Sequence, residues 1–325
     1  MIGRTLCLLL VFLTIPLGIE AQPGGKAYRI GMLETIPASL NAGNLEAFRQ
    51  ALKELGYVVG QNLTIEYRSA DGGAERFAGL ATELVRLQVD LIVTRGTPAA
   101  LAAKEATRTI PIVMAASGDP LGSGIVASLA RPGGNITGLS SIVADLGPKR
   151  LEQLKEALQT VSRLGVVANM SNPAIETEWR QIQAASRVLG IDAELLDIRV
   201  QADIESAFEK ARRRRADALI VTLDTLIQAN RERIVTLSAK HRLPAIYASR
   251  EFVEVGGLLA YGVSYPHLYR RAALFIDRIF KGMKPSELPV EQPTTLELVI
   301  NLKTAKTLGL TIPHSVLLRA DQVIQ

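Results

Sequence analysis

One hydrophobic phrase occurs twice in this chain, and it limits the available folds more than any other feature. Asp90-Leu91-Ile92-Val93-Thr94 in the first half is answered by Asp217-Ala218-Leu219-Ile220-Val221-Thr222 in the second, each followed by a turn and a helical stretch. Apolar runs without polar alternation suit strands covered on both faces in a parallel sheet. Two further matches keep the same order. Thr109-Ile110-Pro111-Ile112-Val113 pairs with Arg242-Leu243-Pro244-Ala245-Ile246, and Gly133-Gly134 before Asn135-Ile136-Thr137 pairs with Gly256-Gly257 before Leu258-Leu259-Ala260. The ordering predicts an α/β protein with two Rossmann-like lobes of one topology, because a solenoid would have much shorter repeats.

The length of 325 residues agrees, at roughly 100–200 residues per domain. The first lobe reads as strand Ala27–Leu33, then a helix with the stripe Leu45, Phe48, Leu52 and Leu55 that Gly56 ends. A strand over Asn62–Arg68 and a helix through Phe77, Leu80, Ala81, Leu84 and Leu87 lead into the first copy of the phrase. There Thr97 is expected as the N-cap of the next helix, with Pro98 at its first position. A short helix through Ile125, Val126 and Leu129 is expected before a fifth strand at Asn135–Ser140.

The second lobe repeats the alternation, with strands at Arg163–Asn169, Asp192–Asp197, Asp217–Thr222, Pro244–Ala248 and Gly257–Tyr261. Two five-stranded lobes result, with a helix over Leu268–Ile279 and a strand over Leu296–Asn301 left over. That helix could pack on either lobe. If it returns to the first, the chain crosses between lobes three times, near 141–147, 262–265 and 290–295, which makes a hinge and a cleft that can close on a ligand. The expected division is residues 27–143 with about 264–292 in one lobe, and 144–263 with about 293–325 in the other.

Residues 1–21 read as a secretory signal peptide: Arg4 supplies the positive start, Leu6 to Leu17 the apolar core, and Gly18-Ile19-Glu20-Ala21 a cleavage site. The apolar run is short for a membrane span. Cys7, the only cysteine of the sequence, lies at the start of that core, where a lipid anchor is not expected. The mature chain would then be a thiol-free, exported protein that folds by its core alone. The formal charge of +5, from 37 Lys and Arg against 32 Asp and Glu, is scattered. It forms no stripe with interleaved aromatics of the kind that binds nucleic acid.

Catalytic and metal signatures do not assemble. His241, His267 and His314 lie far apart without partners at ligand spacing, so no metal site and no cofactor is expected. No G-x-S-x-G elbow occurs, the first strand runs into Gly31-Met32-Leu33-Glu34-Thr35 instead of a dinucleotide fingerprint, and Gly118 to Gly124 lacks a phosphate-loop lysine. The basic run Lys210 to Arg215 reads as a solvated helix end.

What remains is a set of polar groups placed after apolar strands, where open parallel sheets bind ligands. They are Thr35; Thr94, Gly96 and Thr97; Ala115, Ser117 and Asp119; Asn169 and Asn172; Asp224 and Thr225; and Tyr247. Tyr261 joins them as a second aromatic wall with a polar tip. Asp119 and Asn172 precede prolines and serve equally well as turn-formers, and Thr97 as a plain cap. A zwitterion suits the set: its carboxylate on Ser117 or the helix start at Thr97, its ammonium on Asp224.

Several short motifs carry a family resemblance. Leu52-Lys53-Glu54-Leu55-Gly56-Tyr57, Gly60-Gln61-Asn62, Thr97-Pro98-Ala99-Ala100 and Gly118-Asp119-Pro120 are among them. So are Leu129-Ala130-Arg131-Pro132-Gly133-Gly134-Asn135, Ala239-Lys240-His241-Arg242-Leu243-Pro244-Ala245-Ile246-Tyr247, Arg250-Glu251-Phe252 and Asn301-Leu302-Lys303-Thr304-Ala305-Lys306. Together, over nearly the whole mature chain, they resemble the substrate-binding proteins of ABC transporters related to tryptophan/tyrosine-binding lipoproteins. The resemblance implies a type 1 periplasmic-binding-protein fold and a small-molecule solute clamped between the lobes; where members bind amino acids, aromatic ones are the typical ligands. It also implies a membrane permease and its ATPase as partners. The expected protein is a periplasmic monomer that binds rather than catalyses. A ligand-sensing regulator of the same fold is the alternative, though its DNA-binding helices would occupy the place of the signal peptide; an α/β enzyme is the more distant one.

Overall fold

The computed structural model describes residues 26–325, so the expected signal peptide and Cys7 lie outside the described residues. The first lobe alternates as its apolar spacing predicts: β1 (Tyr28–Glu34), α1 (Ala42–Glu54), β2 (Leu63–Ser69), α2 (Phe77–Arg86), β3 (Leu91–Arg95), α3 (Thr97–Ala106), β4 (Ile112–Ser117) and β5 (Ile136–Ser140). Its five strands are all parallel, in the order β2-β1-β3-β4-β5. Strands β3 and β4 are buried at every residue, as runs sealed on both faces must be. The segment through Ile125, Val126 and Leu129 is a series of turns instead of the expected helix. Pro120, Pro132 and two glycines at positive φ (Gly124 and Gly133) break any helical run there.

The second lobe begins with α4 (Val143–Leu158), β6 (Arg163–Ala168), α5 (Pro173–Val188), β7 (Asp192–Asp197) and α6 (Asp203–Arg213). It continues through β8 (Ala218–Val221), α7 (Thr225–Ala229), α8 (Arg231–Lys240), β9 (Ala245–Tyr247), α9 (Arg250–Glu254) and β10 (Leu259–Val263). Next come α10 (Tyr265–Phe280), β11 (Leu296–Asn301), α11 (Leu302–Leu308), α12 (His314–Leu317) and β12 (Gln322–Ile324). The second sheet has seven strands, in the order β12-β11-β10-β9-β8-β6-β7, rather than the five expected. The tail supplies the extra two: β11 pairs antiparallel with β10, and β12 adds parallel to β11.

Helix α10 belongs with the first sheet. Leu268, Tyr269, Ala272, Phe275 and Ile276 are buried in one cluster with Ile30, Phe48 and Leu52, and Tyr28 stacks on Phe280 with ring centroids 3.9 Å apart. The chain therefore passes between the lobes three times: from β5 to α4, from β10 to α10, and from Glu291, whose backbone pairs with Gly138 and Ser140, to β11. At the first passage Ile142 adopts a left-handed backbone with φ 42°. A β-branched residue held there costs of order 1–3 kcal/mol, and such strain concentrates where a chain must turn sharply or move. Beside this passage Arg150 and Glu178 form a fully buried ion pair joining α4 to α5, and the Arg150 guanidinium also donates to the Tyr261 carbonyl at 2.8 Å. Among the described residues no helix is long and apolar enough to cross a membrane.

Candidate ligand site between the lobes

Strands β1, β3, β4, β6 and β8 all point their carboxyl ends at the seam between the sheets, where open parallel sheets hold ligands. A cavity lies there with about 440 Å³ of empty space, part of it open to solvent. Its enclosed part is small, about 40 Å³. Both lobes line it.

Asp224 is the acidic group of that lining. It follows β8, is only 5% exposed, and caps α7: its Oδ1 accepts from the Leu226 amide at 2.9 Å and the Ile227 amide at 3.4 Å. The same oxygen accepts from Asn169 Nδ2 at 3.2 Å, whereas Oδ2 has a single long bond, from Asn172 Nδ2 at 3.4 Å. Burial pushes the Asp224 carboxyl above the usual carboxylate range, against the pull of the Asn169, Leu226, Ile227 and Asn172 donors. A cationic donor in the cavity would oppose that burial and find Oδ2 available.

Opposite stand the turns after β3 and β4. Gly96 takes φ 88° and ψ 153°, a backbone conformation reserved for glycine, and this glycine rather than Thr97 is the N-cap of α3. Thr97, the first helical residue, uses its hydroxyl elsewhere. Its Oγ1 accepts from the Gly118 amide at 3.1 Å and lies 3.4 Å from Ser117 Oγ, tying the two turns together. Asn172 does cap its helix, α5, through Oδ1 and the Ala174 amide at 3.2 Å, and it reaches Asp224 with its other end. The hydroxyl oxygens of Thr35 and Thr225 and Oε1 of Gln228 are buried in the lining without a hydrogen-bond partner. Such atoms cost about 1–3 kcal/mol each when left unpaired, so they favour a polar guest.

Of the thirteen residues picked from sequence, Thr35, Gly96, Thr97, Asn172, Asp224 and Thr225 line the cavity. Asn169 and Ser117 stand one layer behind, bonded to Asp224 and Thr97 respectively. Thr94 is buried at the end of β3 outside the lining. Four lie elsewhere. Ala115 packs in the first-lobe core, and it is Ala116, in the stretch where the register of β4 shifts between Met114 and Ser117, that reaches the lining. Asp119 folds onto its own turn, accepting from the Gly122 amide at 2.8 Å. Tyr247 is buried in the second-lobe core, stacked on Phe252, with its hydroxyl donating to Ser238 at 3.2 Å. Tyr261 packs between the two cores beside the crossovers.

Sequence reasoning missed Arg95, Ser141, Val143, Leu223, Gln228 and Tyr265 of the lining. Tyr265 is the aromatic wall that Tyr247 is not: it opens α10, and the Arg95 guanidinium lies 4.5 Å from its ring centre. Its signal was available, since Tyr265 sits at the second crossing after a strand.

Comparison with known proteins follows the same lines. The family model described as "ABC transporter substrate binding protein" matches residues 38–324. A tyrosine-binding protein from Clostridioides difficile is 27% identical over 265 residues, 82% of this chain and 76% of that one. A conserved domain protein from Vibrio cholerae superposes with a TM-score of 0.85 at 29% identity, covering 92% of this chain and all of the other. An ABC domain from Streptococcus pneumonia, solved in complex with L-Trp, gives 0.82 at 30% identity, covering 91% of this chain and all of that one.

Proposed function

Because this chain belongs to the ABC transporter substrate binding protein family, we propose that it is the extracytoplasmic receptor of an importer, carrying an aromatic amino acid to its permease. It acts by binding, as its relatives do, and not by turnover. The signal-like segment at 1–21 would export it to the periplasm, where it would meet the permease and, through it, the ATPase.

One observation carries the ligand class. A buried carboxylate whose Oδ2 carries only one long bond, from Asn172, belongs to Asp224 and is the acidic group of a lining otherwise made of apolar, hydroxyl and amide groups with Arg95. An α-ammonium would satisfy it. Val143, Ile175, Leu223 and Tyr265 offer an apolar bed for a ring, and Ser141 with the backbone opening α3 offers donors for a carboxylate. A tyrosine-binding relative and a neighbour holding L-Trp support the aromatic choice. Solute that settles on one lobe favours the closed arrangement by touching the other, and the permease reads that closure.

Calorimetric titration with L-tyrosine and L-tryptophan, beside 3-(4-hydroxyphenyl)propionate and indole-3-propionate, tests this reading. Binding of at least one amino acid and rejection of both deaminated acids is expected. Equal binding of an amino acid and its deaminated partner refutes the role given to Asp224.

A further inference from the structure

At the edge of the cavity, polar side chains from both lobes meet in a network that no ligand is needed to explain. Arg95, at the end of β3, is 3% exposed, and Glu251 of α9 is 14% exposed. Arg95 Nη2 donates to Glu251 Oε2 at 3.0 Å, and Nη1 donates to Asn41 Oδ1 at 2.9 Å. Asn44, also of the first lobe, donates to Glu251 Oε1 at 2.7 Å. From the second lobe, Gln228 Nε2 donates to Glu251 Oε2. Burial alone would raise the Glu251 carboxyl, but Arg95, Asn44 and Gln228 outweigh it and hold it below the usual range, so it is ionised.

We propose that Arg95 and Glu251 are positioning residues that clasp the lobes together and preset Gln228 as a hydrogen-bond acceptor for the solute. The proposal rests on the solute-receptor reading above. An ionised carboxylate can only accept, so the Gln228 amide must turn its nitrogen to Glu251. Its oxygen is then left over, buried and unpartnered in the cavity lining. Gln228 stands four residues after Asp224, so the two share one face at the start of the same helical segment. A primary ammonium carries three donors and serves both acceptors; a trimethylated amine carries none. Arg95 meanwhile lies over the Tyr265 ring, so the same clasp steadies the aromatic wall.

The clasp favours closure because opening parts Arg95 from Glu251. With one partner removed, the closed form must bury an uncompensated charge, whereas the open form lets water reach it. Since Cys7 is the only cysteine of the sequence, Glu46→Cys and Glu176→Cys, both exposed and one on each lobe, can be labelled for single-molecule energy transfer on the mature chain. Measured without solute, the labelled protein should populate the closed distance. Glu251→Ala, and independently Glu251→Gln, should lower its closed-to-open ratio at least tenfold, and exchanging the pair (Arg95→Glu with Glu251→Arg) should recover closure. An unchanged closed population in either single variant that retains native circular dichroism overturns the proposal. L-tryptophan titration of the same samples separates the two readings. Loss of the closed population in the Glu251 variants, with no tryptophan binding by the unsubstituted protein, leaves the clasp standing and counts against the aromatic ligand alone.

Discussion

Replacing Asp224 with asparagine isolates the ligand-facing half of this side chain from its structural half. Oδ1 carries the structural duty, accepting from the Leu226 and Ile227 amides and from Asn169, and an asparagine oxygen can take over all three. Helix α7 therefore keeps its cap, whose outright loss in Asp224→Ala would cost about 1 kcal/mol. Oδ2 becomes an amide nitrogen, which cannot accept from Asn172 or from a ligand ammonium. One charge-assisted bond to the ligand disappears, worth about 1.5–3 kcal/mol. At about 1.4 kcal/mol per decade, affinity for the preferred amino acid should fall roughly ten- to a hundredfold. Calorimetry would read the affinity, and urea unfolding of the ligand-free protein should differ from the original by less than about 1 kcal/mol. An Asp224→Asn variant that binds as tightly as the unsubstituted protein would refute the reasoning, and one that unfolds readily would show that Asp224 is mainly a cap.

Three other substitutions probe separate parts of the account. A Cβ built on Gly118 would stand 2.8 Å from both the Ala174 Cβ of α5 and Val143 Cγ2, so Gly118→Ala wedges the seam and opposes closure. Overpacking of this kind costs about 1–3 kcal/mol, so amino-acid affinity by calorimetry should drop roughly five- to a hundredfold. Tyr247→Phe should leave affinity unchanged in the same assay and cost about 1 kcal/mol of stability in urea, since its hydroxyl serves Ser238 in the core. Burial raises the fully buried Glu34 to about 7, against Arg95 and the Tyr269 and Asn41 hydrogen bonds. A carboxyl with a folded pKa above its unfolded one stabilises fully below the unfolded value, and that contribution is lost as pH rises through the folded value. Stability should therefore decline between pH 4.5 and about 7, and Glu34→Gln should flatten the decline by about 3 kcal/mol, as read by urea midpoints across that range.

Strand positions were legible because fully buried parallel strands advertise themselves as unbroken apolar runs, and their turns follow directly. Which residue of a strand end faces the seam was less legible. A run such as Ile112–Ala116 is apolar on both faces, so it carries no parity signal, and a register shift like the one between Met114 and Ser117 breaks simple alternation. Tyr247 misled for the same reason. The pairing of Arg95 with Glu251 was not legible, since an arginine at a strand end says nothing of a partner 156 residues away. The tail strand at Leu296–Asn301 was legible as a strand but not its antiparallel place beside β10, and β12 was hidden because it spans only Gln322–Ile324.

Energy transfer between Glu46→Cys and Glu176→Cys during titration with L-tyrosine or L-tryptophan tests the central claim most directly, because it reads capture and lobe closure in one sample. Saturable conversion of any remaining open molecules to the closed distance, abolished at the same solute concentration by Asp224→Asn, is the predicted result. A lobe distance indifferent to every amino acid tried, in protein that is folded and partly open, would contradict it.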